Sequence, residues 1–88
     1  MSYQIIIPKP SQKQLKQLTP EIYKRIIEKI GQLANEPRPT GTKKLQGFDQ
    51  EYRIRIGDYR VRYEIDDKTL TVIILSCRHR REAYKDQR

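Results

Sequence analysis

The chain has no tryptophan, one phenylalanine, one cysteine and four glycines in 88 residues, and each shortage closes off a class of protein. A single cysteine, Cys77, cannot form an internal disulfide, which excludes a disulfide-stapled scaffold and points to a reducing cytoplasm. The longest apolar runs, Ile5 to Ile7 and Leu70 to Leu75 broken by Thr71, fall far short of the ~20 residues that cross a bilayer, so no membrane role is expected. The opening Met1-Ser2-Tyr3-Gln4 has neither the charged start nor the apolar stretch of a secretory signal. No glycine-rich phosphate loop, metal-spaced His/Cys/carboxylate cluster or Ser-His-Asp order occurs, so neither metal nor cofactor is expected. Acids are scarce too: 11 Asp and Glu face 19 Lys and Arg, a net charge of +8. An anionic partner is implied, nucleic acid first. The length fits one domain, 1–88, with a single small core.

What is present is periodic. Tyr3 to Ile7 reads as a strand closed by Pro8 and Pro10. Ser11 is positioned to cap a short helix carrying Leu15 and Leu18. Thr19-Pro20-Glu21 starts a second helix, with a capping oxygen, proline at the first turn and a carboxylate at the positive end of the dipole. Ile22, Ile26, Ile30 and Leu33 form its apolar stripe, and it is expected to run to about Glu36 before Pro37 and Pro39. Gly31 within it suggests close packing against a neighbour. Residues 38–50 read as a connection with little regular structure, pinned by Leu45 and Phe48. Glu51 to Ile56 and Tyr59 to Ile65 alternate with period two around Gly57-Asp58, a type II′ hairpin signal. Leu70 to Ser76, apolar on both faces, reads as a covered central strand, and a short helical turn is expected around Glu82 to Lys85. The expectation is an α+β fold in the order β-α-α-β-β-β, with two helices packed on a small, largely antiparallel four-stranded sheet.

The basic residues are segregated. Residues 1–44 hold seven Lys and two Arg, whereas 45–88 hold two Lys and eight Arg. Arginine offers a planar, permanently charged fork suited to phosphate, so the site is sought in the second half. A two-residue turn at Gly57-Asp58 sets Arg55 opposite Arg60 and Arg53 opposite Arg62, with all four on one face. Like charges directly opposed on a sheet are destabilising, and a polyanion lying across them removes the conflict. Glu51 and Glu64 share that face and neutralise part of it, the reading under which it is an ordinary charged surface. Strict alternation sends Ile73 and Leu75 to the arginine face, so Arg78 reaches it only if the chain bends after Ser76.

The run Glu51-Tyr52-Arg53-Ile54-Arg55-Ile56-Gly57-Asp58-Tyr59-Arg60-Val61-Arg62-Tyr63-Glu64 resembles the RelE/ParE superfamily of bacterial toxin–antitoxin toxins. The preceding Lys44-Leu45-Gln46-Gly47 and the closing Arg78-His79-Arg80-Arg81-Glu82-Ala83-Tyr84 carry the same resemblance, which covers nearly the whole chain. It implies either of two activities: RelE-like members cut mRNA in the ribosomal A site, and ParE-like members poison DNA gyrase without chemistry of their own. On the RelE branch the resemblance places catalytic groups at Arg53, Arg55, Arg60, Arg78 and Tyr84, with His79 where a histidine is common. Lysines stand at the first two positions in the best-known members. Arginine is a poor base, so Arg53 and Arg55 are expected as electrostatic clamps, and His79 or Tyr84 as the proton acceptor. Lys43, Lys44, Arg62, Arg80 and Arg81 are expected to bind RNA phosphates.

The reaction so implied is metal-independent attack of a ribose 2′-oxygen on the adjacent phosphate. The partners implied are the ribosome, its rRNA and mRNA, and an acidic antitoxin that folds over the arginines and displaces the terminal segment. The free toxin is expected as a monomer, its apolar residues being used in one core. A gyrase inhibitor, or an inactive module that binds RNA or an acidic partner, are the alternatives.

Overall fold

A computed structural model describes residues 2–45, 47 and 50–81. The expected turn at 82–85, with Phe48 and Tyr84, lies outside them. The elements are β1 (Gln4–Ile6), α1 (Lys9–Lys16), α2 (Pro20–Gln32), β2 (Lys43–Lys44), β3 (Glu51–Ile56), β4 (Tyr59–Asp66) and β5 (Thr71–His79). They build the α+β fold with one more strand than the alternation indicated. The sheet order is β1-β5-β4-β3-β2, with β1 parallel to β5 and the other pairs antiparallel. The added strand, β2, lies in the stretch expected to be irregular. Two lysines give no alternation to read, and the strand exists because β3 offers it a ladder at Lys43↔Arg53 and Lys44↔Tyr52.

Both helices pack on one face of the sheet. The core joins Leu15 of α1, Ile26 and Ile30 of α2 and Leu33 to Ile54, Ile56, Val61, Tyr63, Ile65, Val72, Ile74 and Cys77. The period-two pattern of β3 and β4 thus buries one side of the hairpin and leaves the arginines on the other. Gly57 has φ +61° while Asp58 keeps a negative φ, the sign pattern of a type II′ turn, as glycine in the first loop position requires.

Three local expectations need correction. Ser11 does not cap α1: the helix starts at Lys9 after Pro8, and Ser11 is buried inside it with Oγ donating to the Ile74 carbonyl at 2.7 Å. Proline supplies the first-turn geometry, and the serine is used for a tertiary contact. Thr19 occupies the N-cap of α2, but its side chain makes no capping hydrogen bond; its carbonyl accepts from Tyr23 N–H at 2.8 Å. The α2 helix ends at Gln32, four residues before the expected Glu36, and continues as turns in which Leu33 and Ala34 bond three residues back.

Gly31 is exposed, and a Cβ built on it would meet nothing within 4 Å. It therefore costs helix propensity with no packing return. Gly31→Ala is expected to stabilise the fold by about 0.5–1 kcal/mol, read as a higher urea midpoint with an unchanged slope.

Candidate nucleic-acid interface

The open face of the sheet is organised in transverse rows. Arg55 pairs with Arg60 and Arg60 with Arg78, so three arginines from β3, β4 and β5 lie side by side next to the Gly57-Asp58 turn. The next row runs Lys43, Arg53, Arg62, Ser76 across four strands. Neighbours within a row have Cβ atoms about 4.5–5.5 Å apart, so their cationic heads can converge on one phosphate. Farther from the turn the face changes character, through Glu51, Glu64 and Ile73 to Ile6, which is 40% exposed at the sheet margin. The field is therefore polarised along the strands, with its positive end at the hairpin turn.

Arg78 reaches the first row through a β-bulge. The β4–β5 register jumps between Tyr63↔Ile74 and Arg62↔Ser76, which leaves Leu75 as an extra residue. Before the jump, Val72 and Ile74 face the helices; after it, Cys77 does so, and Arg78 turns to the open face opposite Arg60. The expected bend after Ser76 is replaced by this bulge, and the strand continues to His79. Uninterrupted alternation would instead have set Cys77 opposite Arg60.

The same register decides other candidates. His79 pairs with Tyr59, not with Arg60. Its ring lies edge-on to the Tyr59 ring with centroids 5.3 Å apart, on the helix-facing side of the sheet. Its Nδ1 accepts from Arg81 N–H at 3.3 Å. The structure thus does not bring His79 to the arginines; its ring props the end of the hairpin. Lys43 joins the open face through Arg53, whereas Lys44 is paired with Tyr52 and falls on the other side. Arg62 is ion-paired with Glu51 at 2.5 Å, so part of its charge is spent within the protein. Arg55 Nε donates to the Gly57 carbonyl at 3.1 Å, which fixes its stem beside the turn. Arg80 and Arg81 are exposed beyond β5, where Arg80 N–H donates to the Asp58 carbonyl at 2.8 Å and ties them to the same end of the sheet.

Sequence reading gave no role to Arg38. It lies in the connection before β2, where Nη2 pairs with Asp67 at 2.9 Å, Nε donates to Tyr52 Oη at 3.2 Å and the guanidinium covers the Tyr52 ring at 5.1 Å. Tyr3 Oη donates to the other Asp67 oxygen at 2.6 Å. This clamp closes the end of the sheet away from the arginine rows, joining the segments that carry β1, β2 and the β4–β5 turn. Nearby, Tyr63 Oη donates to the Pro37 carbonyl at 2.8 Å, and burial pushes its phenol up. Hydrogen bonds from Tyr3 and Arg38 hold the Asp67 carboxyl below its ordinary range, and the bond to Asp67 holds the Tyr3 phenol above its own. A depressed acid and a raised phenol both favour the clamp between their ordinary values, about 3.9 and about 10. Its contribution is lost as pH falls through the native Asp67 value or rises through the native Tyr3 value. Asp67→Asn is expected to lower the melting temperature at pH 7, with the gap to wild type narrowing as pH falls below the ordinary carboxylate value of about 3.9 and closing once the native Asp67 carboxyl is protonated.

No helix among the described residues is long and apolar enough to cross a membrane, and among them no group of three or more His, Cys, Asp and Glu could hold a metal ion.

Comparison with known proteins matches residues 5–84 to the family described as ParE toxin of type II toxin-antitoxin system, parDE. A chain from Methanocaldococcus jannaschii with RelE1 in its name is 37% identical, with 98% of this chain and 99% of that one aligned. Toxin RelG of Mycobacterium tuberculosis is 31% identical over 97% of this chain and 99% of its own. Among solved structures, an archaeal RelE–RelB complex from Pyrococcus horikoshii superposes with a TM-score of 0.82 at 35% identity, covering 91% of this chain and 97% of that one.

Proposed function

The chain belongs to the RelE/ParE toxin superfamily of type II toxin–antitoxin systems, and from that membership we propose that it is a ribosome-dependent endoribonuclease that cuts mRNA in the A site. The observation that carries the reading is the Arg55–Arg60–Arg78 row, three guanidinium groups from three strands at the open end of one face.

In the proposed reaction the 2′-oxygen loses its proton, attacks the adjacent phosphorus and expels the 5′-oxygen, which leaves with a proton. The products are a 2′,3′-cyclic phosphate and a 5′-hydroxyl. Charge grows on the non-bridging oxygens as the five-coordinate phosphorane forms. Arg60 and Arg78, fixed by strand pairing rather than by a loop, meet that charge without reorganising. Arg53 and Arg55 hold flanking phosphates, with Lys43 at the sheet edge and Arg80 and Arg81 beyond the turn extending the track. Arg62, already neutralised by Glu51, contributes least. Arginine does not act as a base, and His79 faces away, so Tyr84 is the proposed proton acceptor.

The cationic side chains that the described residues place on this face suit phosphates rather than base edges, which leaves choice of the cut site to the ribosome. An acidic antitoxin that covers the arginine face is the proposed second partner. The RelE–RelB complex from Pyrococcus horikoshii supports it, as does the charge of +8. The cytoplasm, where ribosomes and reduced thiols are found, is the proposed compartment.

The family description names ParE, which keeps gyrase as the second target. Two assays run together separate them. Purified toxin is expected to stop protein synthesis in a cell-free translation mix and to leave gyrase supercoiling untouched; the converse would give the chain to the gyrase branch. The clamp roles make a further prediction. Arg53→Ala is expected to weaken RNA binding evenly across sequences and to flatten the dependence of log affinity on log salt by about 0.7, one phosphate contact. An unchanged slope would remove Arg53 from the RNA track.

A further inference from the structure

Two polar side chains of α1 bracket the bulge that turns Arg78 to the open face. The β1 ladder ends at Ile6↔Ile73, so among the described residues the next stretch of β5 has no strand partner on that side. There Ser11 Oγ donates to the Ile74 carbonyl at 2.7 Å, and Gln14 Oε1 accepts from Cys77 N–H at 2.7 Å. Ile74 is the last residue before the register jump, and Cys77 follows the two residues, Leu75 and Ser76, that span it. Ser11 is 1% exposed and lies one helical turn before Leu15, on the face that packs on β5. A buried polar group at such a position is retained at a cost unless its partner is a specific one. We propose that Ser11 and Gln14 are positioning residues for Arg78: by satisfying the backbone on either side of Leu75–Ser76 they hold the bulged register, and so hold Arg78 opposite Arg60. The proposal rests on the ribonuclease reading only for its activity readout.

Two features of the molecule make it testable. Cys77 is the sole cysteine and its thiol is buried against the helices. Any slip to unbroken alternation would carry it to the open face, so its reaction rate with a thiol reagent reports register directly. Leu75 is the extra residue, and deleting it gives a regular ladder in which Arg78 still falls opposite Arg60. The ladder then needs no support from α1.

The experiment compares wild type, Gln14→Leu, Gln14→Glu, Ser11→Ala, the Leu75 deletion, and Gln14→Leu combined with that deletion. Each is assayed as full-length toxin for mRNA cleavage on ribosomes and for Cys77 reactivity. Gln14→Leu and Ser11→Ala are expected to lower the cleavage rate by about tenfold, the scale of an ångström-level misplacement or less, and to speed thiol reaction. Gln14→Glu keeps an acceptor for Cys77 N–H and is expected to behave as wild type. Adding the Leu75 deletion to Gln14→Leu is expected to restore both the rate and the closed thiol. Rescue by Glu shows that the acceptor is what matters, and a role in stability alone would not be cancelled by the deletion. Gln14→Leu with wild-type cleavage and a closed thiol, or an equal loss with Leu75 deleted, would overturn the proposal. Full activity of Arg78→Ala would instead sink the ribonuclease role of Arg78, and the thiol readout would still decide the register. Should Ser11→Ala fail to fold, the Gln14 series carries the test alone.

Discussion

Arg60→Ala is expected to cut the rate of mRNA cleavage on ribosomes by about 10²–10³-fold, the loss found when one preorganised charge-stabilising donor is removed from an active site. Arg60 is the middle member of the three-strand row, the only one with an arginine on both sides, so its guanidinium is placed to meet whatever phosphate the row holds. The fold should survive. Its neighbours Tyr59 and Val61 carry the core side of β4, and removing one of three adjacent like charges relieves repulsion. Stability is therefore expected to change by no more than about 1 kcal/mol. Circular dichroism and urea unfolding separate this outcome from simple loss of structure. Near-wild-type cleavage by a folded Arg60→Ala protein would remove the row from the chemistry.

Ile26→Ala is expected to do the reverse, costing about 3 kcal/mol of stability while leaving the chemistry of each folded molecule alone. Ile26 is fully buried where α2 meets the sheet, and truncating a buried isoleucine to alanine typically costs about 2–5 kcal/mol through lost transfer energy and the cavity left behind. For a domain of this size total stability is on the order of 4–13 kcal/mol, so the variant should unfold at much lower urea. A cost below about 1 kcal/mol would mean that α2 is not seated as described. With the first prediction this makes a double dissociation, the outcome expected if one face of the sheet holds the molecule together and the other carries the proposed cleavage.

The residues that made the fold legible were those whose chemistry is local. Gly57-Asp58 predicts its own turn, and the alternation around it fixes all six hairpin pairs from Glu51↔Glu64 to Ile56↔Tyr59. From these follow the cationic face and the side on which the helices pack. What could not be read depends on partners distant in sequence. The two-residue β2 exists only because β3 is there to pair with it. The bulge at Leu75 is invisible to periodicity, because an apolar residue on a covered strand fits either parity, and so the orientations of Arg78 and His79 could not be read from alternation. The one available hint was Ser11 at helical spacing from Leu15, a polar residue on an apolar stripe. Capping is the commoner use of serine near a helix start, whereas the partner of Ser11 is a carbonyl 63 residues away. Arg38 escaped notice for the same reason, its partner Asp67 lying 29 residues on.

The most direct test of the ribonuclease reading is primer extension on a defined mRNA, programmed into purified ribosomes or free in solution, with wild-type toxin and Arg60→Ala side by side. The account predicts cuts at the A-site codon on ribosomes only, with 5′-hydroxyl ends downstream, that disappear in Arg60→Ala. Folded wild-type toxin that leaves the mRNA intact in both settings, or cuts that persist unchanged in Arg60→Ala, would contradict it.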